Sequence, residues 1–229
     1  PQDELTPFHP RSPYAVSKVF AYWTAINYRE SYGIHASNGI LFNHESPRRG
    51  KNFVTRKITR GLTNISQGLE KCLYMGNLDA MRDWGHAEEY AKAQWLILQH
   101  EKAEDFCIAT GEQYSVRQFI EWSGEVLGIK ITFKGEGLSE VGVIDSIEGD
   151  LCPALKEGDI IVKINERYFR PAEVNSLQGS SSKAKKVLGW EPKISAKNIC
   201  KEMVFEDLKK AQGKALLIQH GHDVSISSD

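Results

Sequence analysis

Residues 10–18 read Pro-Arg-Ser-Pro-Tyr-Ala-Val-Ser-Lys, and residues 37–43 read Ser-Asn-Gly-Ile-Leu-Phe-Asn. The first stretch opens a helix. Ser12 is a suitable N-cap, Pro13 fits the first turn, and apolar or aromatic side chains recur as far as residue 30 at Ala15, Val16, Phe20, Tyr22, Trp23, Ile26 and Tyr28. The second stretch is a short apolar run of the kind that forms a buried strand. The same alternation continues outward. Helices are expected over 53–67, 88–99 and 115–127, strands over 72–75 and 106–109, and a loop over 44–50 punctuated by Pro47 and Gly50. Strands alternating with helices specify a layered α/β fold. After Gly135 come short β-like pieces with Gly and acidic turns, then helices over 180–188 and 194–211, and a tail after His220 expected to fray.

Composition narrows the function classes. Among 229 residues 41% are hydrophobic and 26% charged, enough to build a core without disulfides or metal and unlike disordered, collagenous or coiled-coil chains. Lys plus Arg number 29 against 30 Asp plus Glu, a net charge of −1. That balance gives no case for nucleic acid or an anionic membrane as the main partner, although local basic clusters suit a phosphorylated small molecule. No apolar run approaches the roughly 18 residues of a membrane span. Cys72, Cys107, Cys152 and Cys200 follow no zinc-like spacing, so reduced thiols, a cytoplasmic setting and no metal are expected. The chain begins Pro-Gln-Asp, without Met, and is expected to be part of a longer protein.

Three clusters carry candidate chemistry. Tyr14 and Lys18, four apart on a helix, share one face. A nearby ammonium stabilises tyrosinate, which makes a general acid/base; the plain alternative is an exposed Tyr beside a solvated Lys. In His44-Glu-Ser-Pro-Arg-Arg49 two adjacent guanidinium forks sit on a Pro-bounded loop, an arrangement suited to phosphate or simply to solvent. Val54-Thr-Arg-Lys-Ile-Thr-Arg60 places basic groups around the first turns of a helix, where a diphosphate would be stabilised. Spacing does not settle which of Arg56, Lys57 and Arg60 points inward; Lys57 is the residue chosen here. Residues 143–164 alternate like a small β-module reminiscent of a PDZ domain, but are too short for one and read as an excursion of a larger domain. Trp84, Trp95, Trp122 and Trp190 read as packing residues.

The run Pro10–Lys18, followed by the strand ending Phe42-Asn43, resembles the extended short-chain dehydrogenase/reductase family. The stretch Gly-Ile-Leu-Phe-Asn-His-Glu-Ser-Pro-Arg-Arg-Gly over 39–50, with Arg82-Asp-Trp-Gly-His86 and Tyr168-Phe-Arg-Pro-Ala-Glu173, is similar to the GDP-mannose 4,6-dehydratase family within it. The resemblance covers essentially the whole chain. It implies the C-terminal part of a Rossmann-like dinucleotide-binding fold plus a smaller α/β substrate-binding domain. Residues 1–52 would be the remnant of the former, and 53–229 mainly the latter, with a strand near 105–110 returning to the Rossmann sheet.

The same resemblance implies roles. Tyr14 and Lys18 are catalytic; Lys18, His44 and Arg49 contact NADP; Asn43 reaches the sugar nucleotide. Arg82 and Arg170 hold the diphosphate of GDP-mannose, with ion pairs to Asp83 or Glu88 and to Glu173 as the structural alternatives, and Glu173 accepts from a ribose hydroxyl. The implied reaction is an NADP-dependent lyase step, GDP-mannose to GDP-4-keto-6-deoxymannose plus water, in a homo-oligomer (dimer or tetramer) at full length. Two family features are missing from these residues: the G-x-x-G-x-x-G loop that cradles a pyrophosphate, and the Thr-x-Glu segment whose glutamate removes the C5 proton. The isolated chain is therefore expected to be inactive. The rival readings are another extended-family nucleotide-sugar epimerase or reductase, and a non-catalytic GDP-sugar-binding chain.

Overall fold

The computed structural model describes residues 1–169, 172 and 174–225. In chain order its elements are α1 (Pro13–Tyr32), β1 (Gly39–Leu41), β2 (Asn43–Glu45), α2 (Val54–Ser66), β3 (Leu73–Met75), β4 (Met81–Arg82), β5 (Trp84–His86), α3 (Ala87–Gln99), β6 (Phe106–Ile108), β7 (Tyr114–Ser115), α4 (Val116–Leu127), β8 (Ile129–Lys134), β9 (Val141–Ile147), β10 (Ile160–Ile164), α5 (Ser182–Leu188) and α6 (Ala196–Gln219). This is an α/β fold. The chain forms two compact units, interleaved in sequence: Pro1–Glu45, Ala80–Tyr114 and Arg170–Ala196 make one, and Ser46–Asp79, Ser115–Phe169 and Lys197–Asp229 the other.

In the first unit two pairs of short strands are parallel. β1 pairs with β6, Gly39 opposite Phe106, and β2 with β5, Asn43 opposite Trp84. Parallel strands need crossovers, and α3, joining β5 to β6, buries Tyr90, Ala93 and Ile97 on its inner face. These pack with Phe106, Ile108, Ala184 and Trp190 into one apolar cluster. Trp190 donates its indole N–H to the Glu89 carbonyl at 2.9 Å, so a large side chain is buried without leaving its one donor unmet. α1 starts as the sequence predicts: Ser12 accepts from the Ala15 amide and Pro13 opens the helix. It is fastened by one carboxylate. Asp105 takes both arms of the Arg29 guanidinium at 2.8 and 3.0 Å, and the backbone and side-chain N–H groups of Asn38 at 2.9 and 3.0 Å.

The second unit is a four-stranded mixed sheet in the order β3-β10-β9-β8, in which β10 runs parallel to β3 and antiparallel to β9. The stretch with PDZ-like alternation is thus a built-in part of this sheet, beginning with β9 and closed by β10. α2 and α4 supply the apolar faces, with Ile58, Leu62 and Ile65 from the first and Phe119, Ile120 and Leu127 from the second buried. α4 has a full capping box: Ser115 accepts from the Gln118 amide at 3.1 Å and Gln118 returns the bond to the Ser115 amide at 2.8 Å. It ends on Gly128 at φ +75°, where a side chain would meet the Glu148 carbonyl.

Several expectations change in detail. His44 and Glu45 belong to a strand rather than the 44–50 loop, because β5 supplies a partner that lies 41 residues downstream. β4 and β5 are absent from the sequence reading, since Met-Arg-Asp-Trp-Gly-His shows neither alternation nor an apolar run. α6 continues past residue 211 to Gln219. Trp84 and Trp190 are buried, but Trp95 is 59% exposed, on the outer face of α3. All four cysteines are free. Burial pushes the Cys107 and Cys200 thiols up to about 12 and Cys152 to about 11, so these three stay protonated at neutral pH.

Candidate active site

Tyr14 and Lys18 lie on an exposed face of α1, with Tyr14 70% exposed and the Lys18 ammonium 5.4 Å from the centre of its ring. The i,i+4 spacing therefore brings the two groups together as expected, and no other side chain of α1 buries them. Asn43 and His44 occupy the end of the first unit's second parallel pair. The His44 Nδ1 lies 2.9 Å from the Phe42 carbonyl, which fixes that nitrogen as the donor in a neutral ring and leaves Nε2 as the acceptor. The imidazole rests against the buried Tyr90 ring, centroids 5.2 Å apart. Gly85, opposite His44, makes this possible: a Cβ there would run into the Tyr90 ring.

Arg82 is in the same unit, just ahead of β5. Its Nη1 donates to the Met81 carbonyl at 2.9 Å and to the Val174 carbonyl at 2.6 Å, so the side chain reaches the segment that follows the Tyr-Phe-Arg-Pro-Ala-Glu motif. The structural alternative of an Arg82–Asp83 pair meets an already engaged carboxylate. Fully buried Asp83 accepts from the Thr110 amide and hydroxyl at 2.9 and 2.6 Å, the Gly111 amide at 3.0 Å and the Gly179 amide at 3.2 Å. Arg170 and Glu173, the other two expected substrate contacts, lie outside the described residues.

Arg49 and Lys57 belong to the second unit. Arg49 stacks its guanidinium 3.6 Å above the Phe53 ring, and the Lys57 ammonium sits 3.3 Å from the centre of the Tyr168 ring, both cation–π contacts. The three basic residues at the start of α2 are distinguished by burial. Arg56 is buried on Asp207, whereas Lys57 and Arg60 are half-buried. Sequence reasoning had no means of finding the partners of Asp83 or Asp207, because each answers to donors dozens of residues away. Among the described residues no group of three or more His, Cys, Asp or Glu could hold a metal ion, and no helix is long and apolar enough to cross a membrane.

A family model described as GDP-mannose 4,6 dehydratase matches residues 1–203. The chain belongs to the GDP-mannose 4,6 dehydratase family. A relative from Vibrio cholerae named GDP-mannose 4,6-dehydratase is 66% identical over 227 residues, which is 99% of this chain and 61% of the relative. One of the same name from Yersinia enterocolitica is 57% identical over an equal span. A Dictyostelium discoideum member is 53% identical over 91% of this chain and 56% of its own length. The chain thus spans about three-fifths of the length of these relatives.

Among solved structures, RMD from Pseudomonas aeruginosa complexed with NADPH matches with a TM-score of 0.67 at 22% identity, over 90% of this chain and 59% of that one. The dTDP-glucose 4,6-dehydratase of Bacillus anthracis, in complex with NAD, matches with a TM-score of 0.67 at 21% identity, over 91% and 56%. At such identities the structures show a shared fold, and the family assignment rests on the closer sequences.

Proposed function

We propose that this chain serves a nicotinamide-dependent dehydration of GDP-mannose to GDP-4-keto-6-deoxymannose, with Tyr14 as the proton-transfer group. The observation that carries the reading is the Tyr14–Lys18 pair on one exposed face of α1, in a chain two-thirds identical to a GDP-mannose 4,6-dehydratase. Tyr14, acting as tyrosinate with the Lys18 ammonium beside it, takes the proton of the mannose 4-hydroxyl as the carbonyl forms and ends as the neutral phenol. A ketone at C4 acidifies the hydrogen on C5, whose removal lets water leave from C6. None of the acidic residues of this chain is assigned as that base.

The residues present fit a dinucleotide. His44 has its Nδ1 committed to the Phe42 carbonyl, which leaves Nε2 for another partner, and Arg49 offers a planar fork suited to phosphate. NADP is the form proposed, held by Lys18, His44 and Arg49. When bound it supplies the hydride acceptor for C4 and the donor for C6. Asn43, Lys57, Arg82, Arg170 and Glu173 are proposed to hold the sugar nucleotide, the arginines on its diphosphate. The division into a dinucleotide part at 1–52 and a mainly sugar-nucleotide part at 53–229, and assembly as a homo-oligomer, belong to the same proposal. Turnover of GDP-mannose by the intact protein, compared with that of its Tyr14→Phe variant, tests it: a variant as active as the parent takes Tyr14 out of the mechanism.

A further inference from the structure

Arg56 carries a full charge into the interior of the second unit. It is 7% exposed, and Asp207, on α6, is 2% exposed. Burying two charges is costly unless geometry and hydrogen bonding are good. Here both are. The Arg56 Nε lies 2.8 and 3.1 Å from the two carboxylate oxygens and Nη2 lies 2.7 Å from Oδ1, while the Thr59 hydroxyl donates to Oδ2 at 2.7 Å.

A pair that only joined α2 to α6 would end there. This one continues, because Nη1 turns the other way and donates to the carbonyls of Pro47 and, at 3.1 Å, Arg49. One guanidinium thus fixes two backbone positions of the loop that bears the arginine pair. The loop is also cross-tied within itself: the Arg49 amide donates to the Ser46 carbonyl at 2.9 Å, and the Arg48 amide to the Ser46 hydroxyl at 3.1 Å.

We propose that Arg56, anchored by Asp207, is a positioning residue for Arg49: it fixes the backbone from which the Arg49 guanidinium is presented to a phosphate of the dinucleotide. The inference rests on the reading of Arg49 as a cofactor contact. Asp207 acts through Arg56 and touches no ligand.

The test compares the intact protein with Arg49→Ala and with the double variant Arg56→Met, Asp207→Leu. The double variant removes both charges at similar volume, a change that often leaves stability intact. Hydrogen exchange at the Arg49 amide, exchange within α2, and NADPH affinity by fluorescence titration are the readouts. The double variant is expected to exchange its Arg49 amide about tenfold faster and bind NADPH about tenfold more weakly, as for the loss of one charge-assisted hydrogen bond, with α2 protected as in the parent. Arg56→Lys, which keeps the charge but lacks the fork, should show the same selective pattern and serves if the double variant does not fold. If Arg49→Ala leaves NADPH affinity unchanged, or the parent binds none, the cofactor reading fails and takes the proposal with it. If Arg49→Ala weakens NADPH binding while the pair variants keep parental affinity and parental Arg49 exchange, the reading stands and the positioning role is overturned.

Discussion

Tyr14 shows how a single oxygen can be tested apart from the fold. The ring is mostly exposed on a helix with no buried residue, so Tyr14→Phe removes the oxygen proposed for proton transfer and almost no packing. Turnover is expected to fall by about 10²–10⁴-fold while GDP-mannose affinity, read by titration calorimetry, stays parental. Gly85 is the opposite case, a residue with no chemistry whose bareness matters. Gly85→Ala would drive a methyl into the Tyr90 ring, an overpacking expected to cost about 1–3 kcal/mol and to lower the thermal midpoint. A midpoint equal to the parent's would show that Tyr90 has room to move. At this scale the sequence is legible where partners are local. Tyr14 and Lys18 are four apart, so helical geometry alone predicts their meeting. Arg56 and Asp207 are 151 positions apart, and no pattern announces that pair.

Elements are held by few groups, and α1 by one above all. Burial works against the charged form of Asp105, but the Arg29 fork and the two Asn38 bonds outweigh it and hold the carboxyl below its ordinary value. A depressed carboxyl contributes stability that is whole above its unfolded value of about 3.9 and is lost as pH falls through the folded one. Asp105→Asn should therefore cost about 1–2 kcal/mol near neutrality, by removing a part-exposed charge-assisted pair with Arg29, and less as the pH drops below about 4. Urea midpoints of parent and variant, measured at both pH values, should converge on acidification; a constant gap would assign the effect to shape instead of charge.

The α4 start is simpler: Ser115→Ala removes half of a capping box and should cost about 1 kcal/mol in the same assay. Elements with their own local signals, such as these two helices with their serine caps, were readable from the sequence. β2 and β5 were not, because three-residue strands exist only through each other, and the period-2 signal needs more residues than they have.

For the whole molecule, motif outweighed pattern. Composition excluded broad classes, but the family emerged from specific runs, chiefly 39–50 and Arg82–His86, and the close relatives carry the same assignment. The chain covers about three-fifths of those relatives and contains no G-x-x-G-x-x-G. α1 leaves Tyr14, Val16, Phe20, Trp23, Tyr28 and Tyr32 exposed, an apolar surface of the kind that other protein normally covers. These 229 residues expressed alone are expected to bind NADP weakly and to self-associate, which calorimetry and light scattering would reveal; tight cofactor binding by a monodisperse monomer would refute that expectation.

The reaction itself has one decisive tracer. GDP-mannose labelled with deuterium at C4 is incubated with the intact protein and NADP, and the product is located by NMR. An internal transfer from C4 to C6 predicts a 4-keto-6-deoxy sugar carrying the deuterium on C6 and a solvent hydrogen on C5. Deuterium retained at C4 of an epimerised sugar, or recovered only in released cofactor, would contradict the dehydratase account.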